Sequence, residues 1–254
     1  MNLIGATYNT EVRPWEGGIL TSVCSELENL DGHGHGAKLE NMVMLPAWWL
    51  TFQPWLGGLD FKLLCAQFKH MTGYISLARD RDPGRVYPDP TDGRCRIAYT
   101  PSAFDKKHIL EGMLALAKIN YVAGASTIYT VTDGVPVFER TPLPEGADDP
   151  GINDPAFQAW LALVKHKGLH SPDTSFGSAH QMGTCRMGSN VKHSVVDPNG
   201  KVWGTEGLYV ADASVFPSAS GVNPMVTNMA ISDWISRGVA RELRREGRTE
   251  SARL

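Results

Sequence analysis

Residues 218–230 read "SASGVNPMVTNMA". Its centre, Asn223-Pro224, decides how the C-terminal part is read. Proline is accepted in the first turn of a helix, where its missing N–H costs no hydrogen bond, and Asn is a favoured residue at a helix cap. A helix is therefore predicted to open at Pro224 and run through Trp234 and Ile235. Its end, "RGVARELRREGR", is basic, the sign that a helix C-terminus prefers. The opening turn of such a helix offers N–H groups without intrahelical acceptors and a partial positive charge. That combination suits a phosphate, or the part of a cofactor that becomes anionic on reduction.

Upstream, "GLYVADAS" (207–214) predicts a short apolar strand ending in Asp212, the end at which α/β folds place ligand-contacting residues. Before it, "SVVDPNGKVWG" (194–204) signals a hairpin around Asn199-Gly200. Before that stands "SAHQMGTCRMGS" (178–189). Its His180 can be read as a metal ligand, a structural histidine or a catalytic base, and nothing inside the stretch decides. Two readings of the whole order stay open. Asp212 and Asn223 border an anion or cofactor site, or Asn223 is only a helix cap and Asp212 only a turn residue. No second ligand pair stands at metal spacing, so no metal site is expected, and Cys185 is expected to be a buried, inert thiol.

The remainder reads more simply. Residues 73–80, "GYISLARD", and 94–100, "RCRIAYT", are predicted strands. Ser102 and Asp105 approximate a capping box for a helix with Ile109, Leu110, Met113, Leu114 and Ala117 on one side, closed by Gly124. A strand follows at 126–132, and Asp154-Pro155 opens a second helix that Gly168 closes. Strand, strand, helix, strand suits an antiparallel sheet backed by a helix. Residues 1–60 are expected to be irregular. Within them "GHGHGA" (32–37) formally matches a dinucleotide loop, but acidic "CSELENLD" precedes it where an apolar strand is needed, so a plain glycine loop is expected. His33 and His35 have no further ligands near them in sequence.

Residues 42–59, "MVMLPAWWLTFQPWLGGL", carry no charge. Pro46, Pro54 and Gly57-Gly58 oppose a continuous spanning helix, so a buried or lid-like apolar segment is expected, with contact to a membrane surface as the alternative. A net charge of −3 over 254 residues gives no electrostatic footprint for nucleic acid. Cys24, Cys65, Cys95 and Cys185 lack CxxC spacing, which argues against a zinc ribbon and a secreted disulfide framework. The start shows no basic region followed by an apolar run, so no secretory leader is expected there. The final Ala252-Arg253-Leu254 is a conservative variant of the S-K-L peroxisomal address.

Several long segments resemble, in order, the glucose-methanol-choline (GMC) family of flavin oxidoreductases. They are "HQMGTCRMG" (180–188), "VVDPNGKVWGTEGLYVADASVFPSASGVNPMVTNMAI" (195–231), "WEGGILTSVCSELENLDGHGHG" (15–36) and residues 79–118. Their wording is similar to the long-chain (fatty) alcohol oxidases within that family. The resemblance implies an α+β fold. An antiparallel-sheet substrate domain backed by helices would occupy residues 1–172, and the C-terminal segment returning to the FAD-binding α/β domain 173–242. A flexible tail is expected over 243–254. The resemblance also implies FAD as cofactor, a long-chain alcohol and oxygen as reactants, and His180 and Asn223 as the active-site pair. Asp212, Ala213, Asn223, Pro224 and Met225 would lie along the flavin nucleotide. The family's G-x-G-x-x-G loop lies ahead of the region matched here, so the chain is expected to be the C-terminal part of a longer protein that binds little FAD alone. A non-catalytic remnant and a membrane-surface or interaction module are the alternatives.

Overall fold

The computed structural model describes residues 1–16, 22–53, 55 and 57–251. In chain order the elements are β1 (Asn2–Thr7), β2 (Val23–Cys24), β3 (Ala37–Asn41), α1 (Pro46–Trp49), α2 (Gly58–Ala66), β4 (Met71–Ala78), β5 (Arg85–Pro88), β6 (Cys95–Ala98), α3 (Ala103–Val122), β7 (Thr127–Thr130), β8 (Phe138–Glu139), α4 (Pro155–Lys167) and α5 (Met225–Ser251). The fold is α+β, and the contacts divide it into two units. The first comprises residues 1–79 and 101–177, the second 80–100 and 178–254. The division thus falls after Gly177 and places 80–100 with the C-terminal part.

The first unit is a six-stranded antiparallel sheet in the order β2-β3-β4-β1-β7-β8. Alternation along each strand separates its two faces. On one face Ile4, Ala6, Ala37, Leu39, Ala78 and Ile128 pack beneath α3 and α4, which contribute Ile109, Met113, Leu116, Phe157, Trp160 and Val164. Ser102 caps α3 as the sequence predicts, its hydroxyl oxygen accepting from the amide of Asp105 at 3.2 Å. Asp154 caps α4 through the amides of Ala156 and Phe157, with Pro155 in the first turn. On the opposite face Leu3, Met71, Ile75, Tyr129 and Val131 lie beneath Met42, Met44, Trp49, Leu50 and Phe68.

Three expectations need correction. Residues 1–60 are not irregular, because β1 is an interior strand whose six residues are all buried. A strand covered on both faces loses the alternation by which strands are recognised. The strand predicted at 94–100 does not join the main sheet. Its residues 95–98 pair with β5 in a separate ribbon whose strand residues are all exposed. Alternation identifies a strand but not its partner. The expected strand at 207–214 is reduced to a single bridge, Lys201 to Tyr209, followed by a 3₁₀ turn at Ala213–Val215.

The apolar 42–59 segment is broken into α1, a 3₁₀ turn at Leu50–Phe52 and the start of α2. It buries Trp49 and Leu50 while Trp48 and Trp55 are 49% and 71% exposed. Among the described residues no helix is long and apolar enough to cross a membrane. At the other end α5 continues to Ser251, so residues 243–251 of the expected tail are helical. Ala252-Arg253-Leu254 lie outside the described residues.

Candidate functional site

The second unit carries every residue singled out as catalytic or cofactor-binding. The predicted Asn199-Gly200 turn is present: the Gly200 amide donates to Asp197 O at 3.0 Å and Asp197 N to Lys201 O at 2.9 Å. The turn works only with glycine at 200. Its φ is +81°, and a Cβ there would stand 2.7 Å from Ile235 Cδ1 and 2.8 Å from Val210 O. Ile235 thereby packs with Val196, Val215 and Phe216 to form the small core of this unit.

Around that core the chain lays the candidate residues side by side. The stretch after His180 runs along the 3₁₀ turn through three backbone bonds. Gly183 N donates to Ala213 O (3.1 Å), Cys185 N to Ser214 O (2.8 Å) and Met187 N to Val215 O (2.9 Å). His180, half-buried, stands just ahead of the first of these. Asp212 caps the turn by accepting from Ser214 N at 2.7 Å. The Ser214 hydroxyl, and then that amide, hold the Asp212 carboxyl below the ordinary carboxylate range, outweighing its partial burial. The adjoining carbonyl of Ala211 accepts from Ser232 Oγ on α5. Asp212 and Ala213 are therefore fixed both to the stretch that follows His180 and to the inner side of α5.

The opening of α5 lies where Asn223-Pro224 predicts it. Its first helical bond runs from Asn228 N to Pro224 O at 2.7 Å, leaving the amides of Met225, Val226 and Thr227 without acceptors within the helix. Met225, Val226 and Met229 are exposed. One residue escaped sequence reasoning. Asn228 Oδ1 is buried and has no hydrogen-bond partner among the described residues. Asn228, Ile231, Ser232 and Ile235 recur at helical spacing, so an amide side chain at an otherwise inward position is the signal that could have identified it. Free amides, a positive helix end and an unfilled acceptor fit the phosphates, hydroxyls and N–H groups of a flavin nucleotide. Of the residues that the resemblance assigns to the flavin, Asp212 and Ala213 lie at the 3₁₀ turn, and Asn223, Pro224 and Met225 at the opening of α5.

The loop at 32–37 leads into β3 and not into a helix. It is shaped by Asp31, which accepts from the amides of His33 (2.8 Å) and His35 (3.0 Å) and pairs with His35 Nδ1 at 2.8 Å. Burial raises the Asp31 carboxyl, and these bonds together outweigh it and hold it far below its ordinary range. Among the described residues no three His, Cys, Asp or Glu side chains could hold a metal ion. Cys185 is a half-buried free thiol.

A model of the GMC oxidoreductase family matches residues 69–232, and the chain belongs to that family. Among its relatives, long-chain-alcohol oxidase FAO3 of Arabidopsis thaliana is 34% identical over 234 residues, covering 90% of this chain and 29% of the relative. Long-chain-alcohol oxidase FAO4A of the same plant is 30% identical over 92% of this chain and 30% of its own length. The chain thus spans less than a third of these relatives. Pyridoxine 4-oxidase from Mesorbium loti shares the fold, with a TM-score of 0.55 at 16% identity over 94% of this chain and 42% of that one.

Proposed function

We propose that the chain serves an FAD-dependent oxidation of a primary, long-chain alcohol to the aldehyde, with oxygen as terminal electron acceptor. The supporting observation is the linkage, within one unit, of the stretch after His180, the Asp212 turn and the open end of α5. The oxidoreductase family and the long-chain-alcohol oxidase relatives support the reaction class. When bound, FAD supplies the hydride acceptor. His180 takes the hydroxyl proton as general base, and Asn223 donates a hydrogen bond to the oxygen as it becomes anionic. Asp212 stays ionised and accepts from hydroxyls of the cofactor. The test is anaerobic and uses this chain joined to the family's N-terminal FAD-binding part: adding 1-dodecanol to that FAD-loaded protein should bleach the visible flavin absorbance faster than adding ethanol does. Flavin-loaded protein that no primary alcohol bleaches would refute the reading.

For location we propose the peroxisome, on the strength of Ala252-Arg253-Leu254. Residues 243–254 fused to a fluorescent protein should give a punctate signal matching an S-K-L control, and a diffuse signal would sink the proposal. The exposure of Trp48 and Trp55 favours, as a second reading, contact of the 42–59 segment with a membrane surface. Co-sedimentation with neutral liposomes that Trp48→Ala abolishes would support it, and none in the wild type would end it.

A further inference from the structure

The start of α3 and the loop that leads into β3 form a cluster that the oxidation does not use. The rings of His35, Phe104 and His108 stand in a row, each meeting the next edge-on. The His35 and Phe104 centroids are 5.5 Å apart at 80°, and those of Phe104 and His108 are 4.5 Å apart at 82°. His35 belongs to the loop, and Phe104 and His108 lie in the first two turns of α3. The loop is closed on itself: Leu30 N donates to His35 O at 2.8 Å and Ala37 N to Leu27 O at 2.7 Å. A Cβ on Gly36 would collide with Leu27 O, so this closure needs glycine there.

His108 is 5% exposed, and its Nδ1 is buried without a hydrogen-bond partner among the described residues. Protonation makes both ring nitrogens donors, so the charged ring would carry a buried N–H with no acceptor. Charged groups act on it from several sides. Asp31 and His35 belong to the loop, and Asp105 and Lys107 to its own helix. Arg79, at the end of β4, would stand 2.9 Å from a Cβ on Gly34. Burial dominates and lowers the His108 pKa from its ordinary value. The attraction of Asp31 and then Asp105 opposes burial, and the repulsion of Lys107 and His35 adds to it. Both carboxylates already have partners: Asp31 accepts from the His33 and His35 amides and pairs with the His35 ring, and Asp105 accepts from the Ser102 hydroxyl at 2.8 Å.

We propose that His108 is a proton-operated clasp on the edge of the main sheet: when neutral it lets the 27–36 loop close against α3, and when protonated it releases the loop and with it β2. A charged ring in this place is relieved only by contact with water, which the closed loop keeps from it. The sign follows from the burial. An unfolded histidine takes its proton near pH ~6.5 and the folded one at a lower pH, so the closed loop is favoured at neutral pH. That advantage is lost as the pH falls below the unfolded value and through the folded one. β2 lies at the sheet edge and pairs with β3 through Val23 to Glu40 and Cys24 to Leu39. Its release uncovers the backbone of β3, and an unpaired strand edge is a template for another chain. Every residue of the clasp lies in the first unit, apart from those assigned to flavin and alcohol.

The experiment measures hydrogen exchange of the full chain at about pH 7.5 and about pH 5.5, on either side of the ordinary histidine value, each normalised to the unfolded chain. Peptides covering 27–37 should lose protection several-fold on acidification while β1 and α4 keep theirs. His108→Phe places a ring that takes no proton against Phe104, and it should abolish the loss. His35→Phe removes the bond to Asp31 and should weaken the loop at both pH values while leaving the acid-induced loss in place. NMR of the wild-type chain follows the His108 ring itself: its titration midpoint should lie below ~6.5 and coincide with the loss of loop protection. That measurement decides the matter if His108→Phe does not fold. No loss in the wild type, an equal loss in His108→Phe, its disappearance in His35→Phe, a ring midpoint that does not coincide with it, or a loss spread evenly over β1 and α4 would each overturn the proposal.

Discussion

The two units are stabilised by different means. In the first, a six-stranded sheet is covered on both faces, and Tyr121 of α3 and Phe157 and Trp160 of α4 pack with Phe138 of β8, with Tyr121 and Phe157 centroids 4.2 Å apart. In the second, four buried side chains, Val196, Val215, Phe216 and Ile235, anchor a chain otherwise held by turn and bridge hydrogen bonds. Its α5 exposes Met225, Val226, Met229 and Trp234. The residues assigned to chemistry all lie in the unit with the smaller core. Binding sites belong on loops whose backbone groups are free to meet a ligand, and such segments have little apolar area to bury.

That contrast can be attacked from several sides. The largest effect should come from His180→Ala in FAD-loaded protein in which this chain is joined to the family's N-terminal FAD-binding part. It should slow flavin reduction by 1-dodecanol about 10²–10⁴-fold, the usual contribution of a positioned base. Amide exchange in both units should stay unchanged. An unchanged rate would return His180 to a structural role.

Core truncations come next. Phe157→Ala should cost about 3–5 kcal/mol and Ile235→Ala about 2–5 kcal/mol. Hydrogen exchange distinguishes the units: Phe157→Ala should deprotect α3 and α4, and Ile235→Ala should deprotect α5 and the 3₁₀ turn. If Ile235→Ala exposed α3 amides equally, the two units would be one cooperative block. Gly200→Ala should cost about 1–3 kcal/mol, because it forces both an unfavourable φ and a collision with Ile235. A melting temperature equal to wild type would show that Ile235 repacks freely.

The smallest effect is a pH dependence. Asp212 has a folded-state pKa below its ordinary value. It therefore contributes stability above the unfolded carboxylate pKa of about 4, and that contribution is lost as pH falls through the lower folded value. Asp212→Asn should reduce protection of the 213–215 turn at pH 6, and the difference should shrink as the pH falls below about 4. A difference that did not shrink on acidification would mean that packing, not charge, was altered.

What the sequence determined by itself was local. The Ser102 and Asp154 caps, the Gly168 stop, the Asn199-Gly200 turn and the Asn223-Pro224 helix start each depend on neighbours within a few residues, so the signal and the structure coincide. Ordered matches along the chain likewise made the family, and with it the candidate residues His180, Asp212 and Asn223, legible before any geometry. Only the tertiary structure decided the rest. It placed β1 inside the sheet, where burial on both faces erases periodicity. It assigned β6 to β5, and it reduced 207–214 to one bridge because the backbone bonds of 213–215 go to the stretch after His180. It alone brought Trp49 and Tyr129 over Gly5 and Gly73 and left Asn228 Oδ1 without a hydrogen-bond partner among the described residues. A residue's partners across a fold are set by which surfaces meet once packing is complete, and no spacing along the chain encodes that.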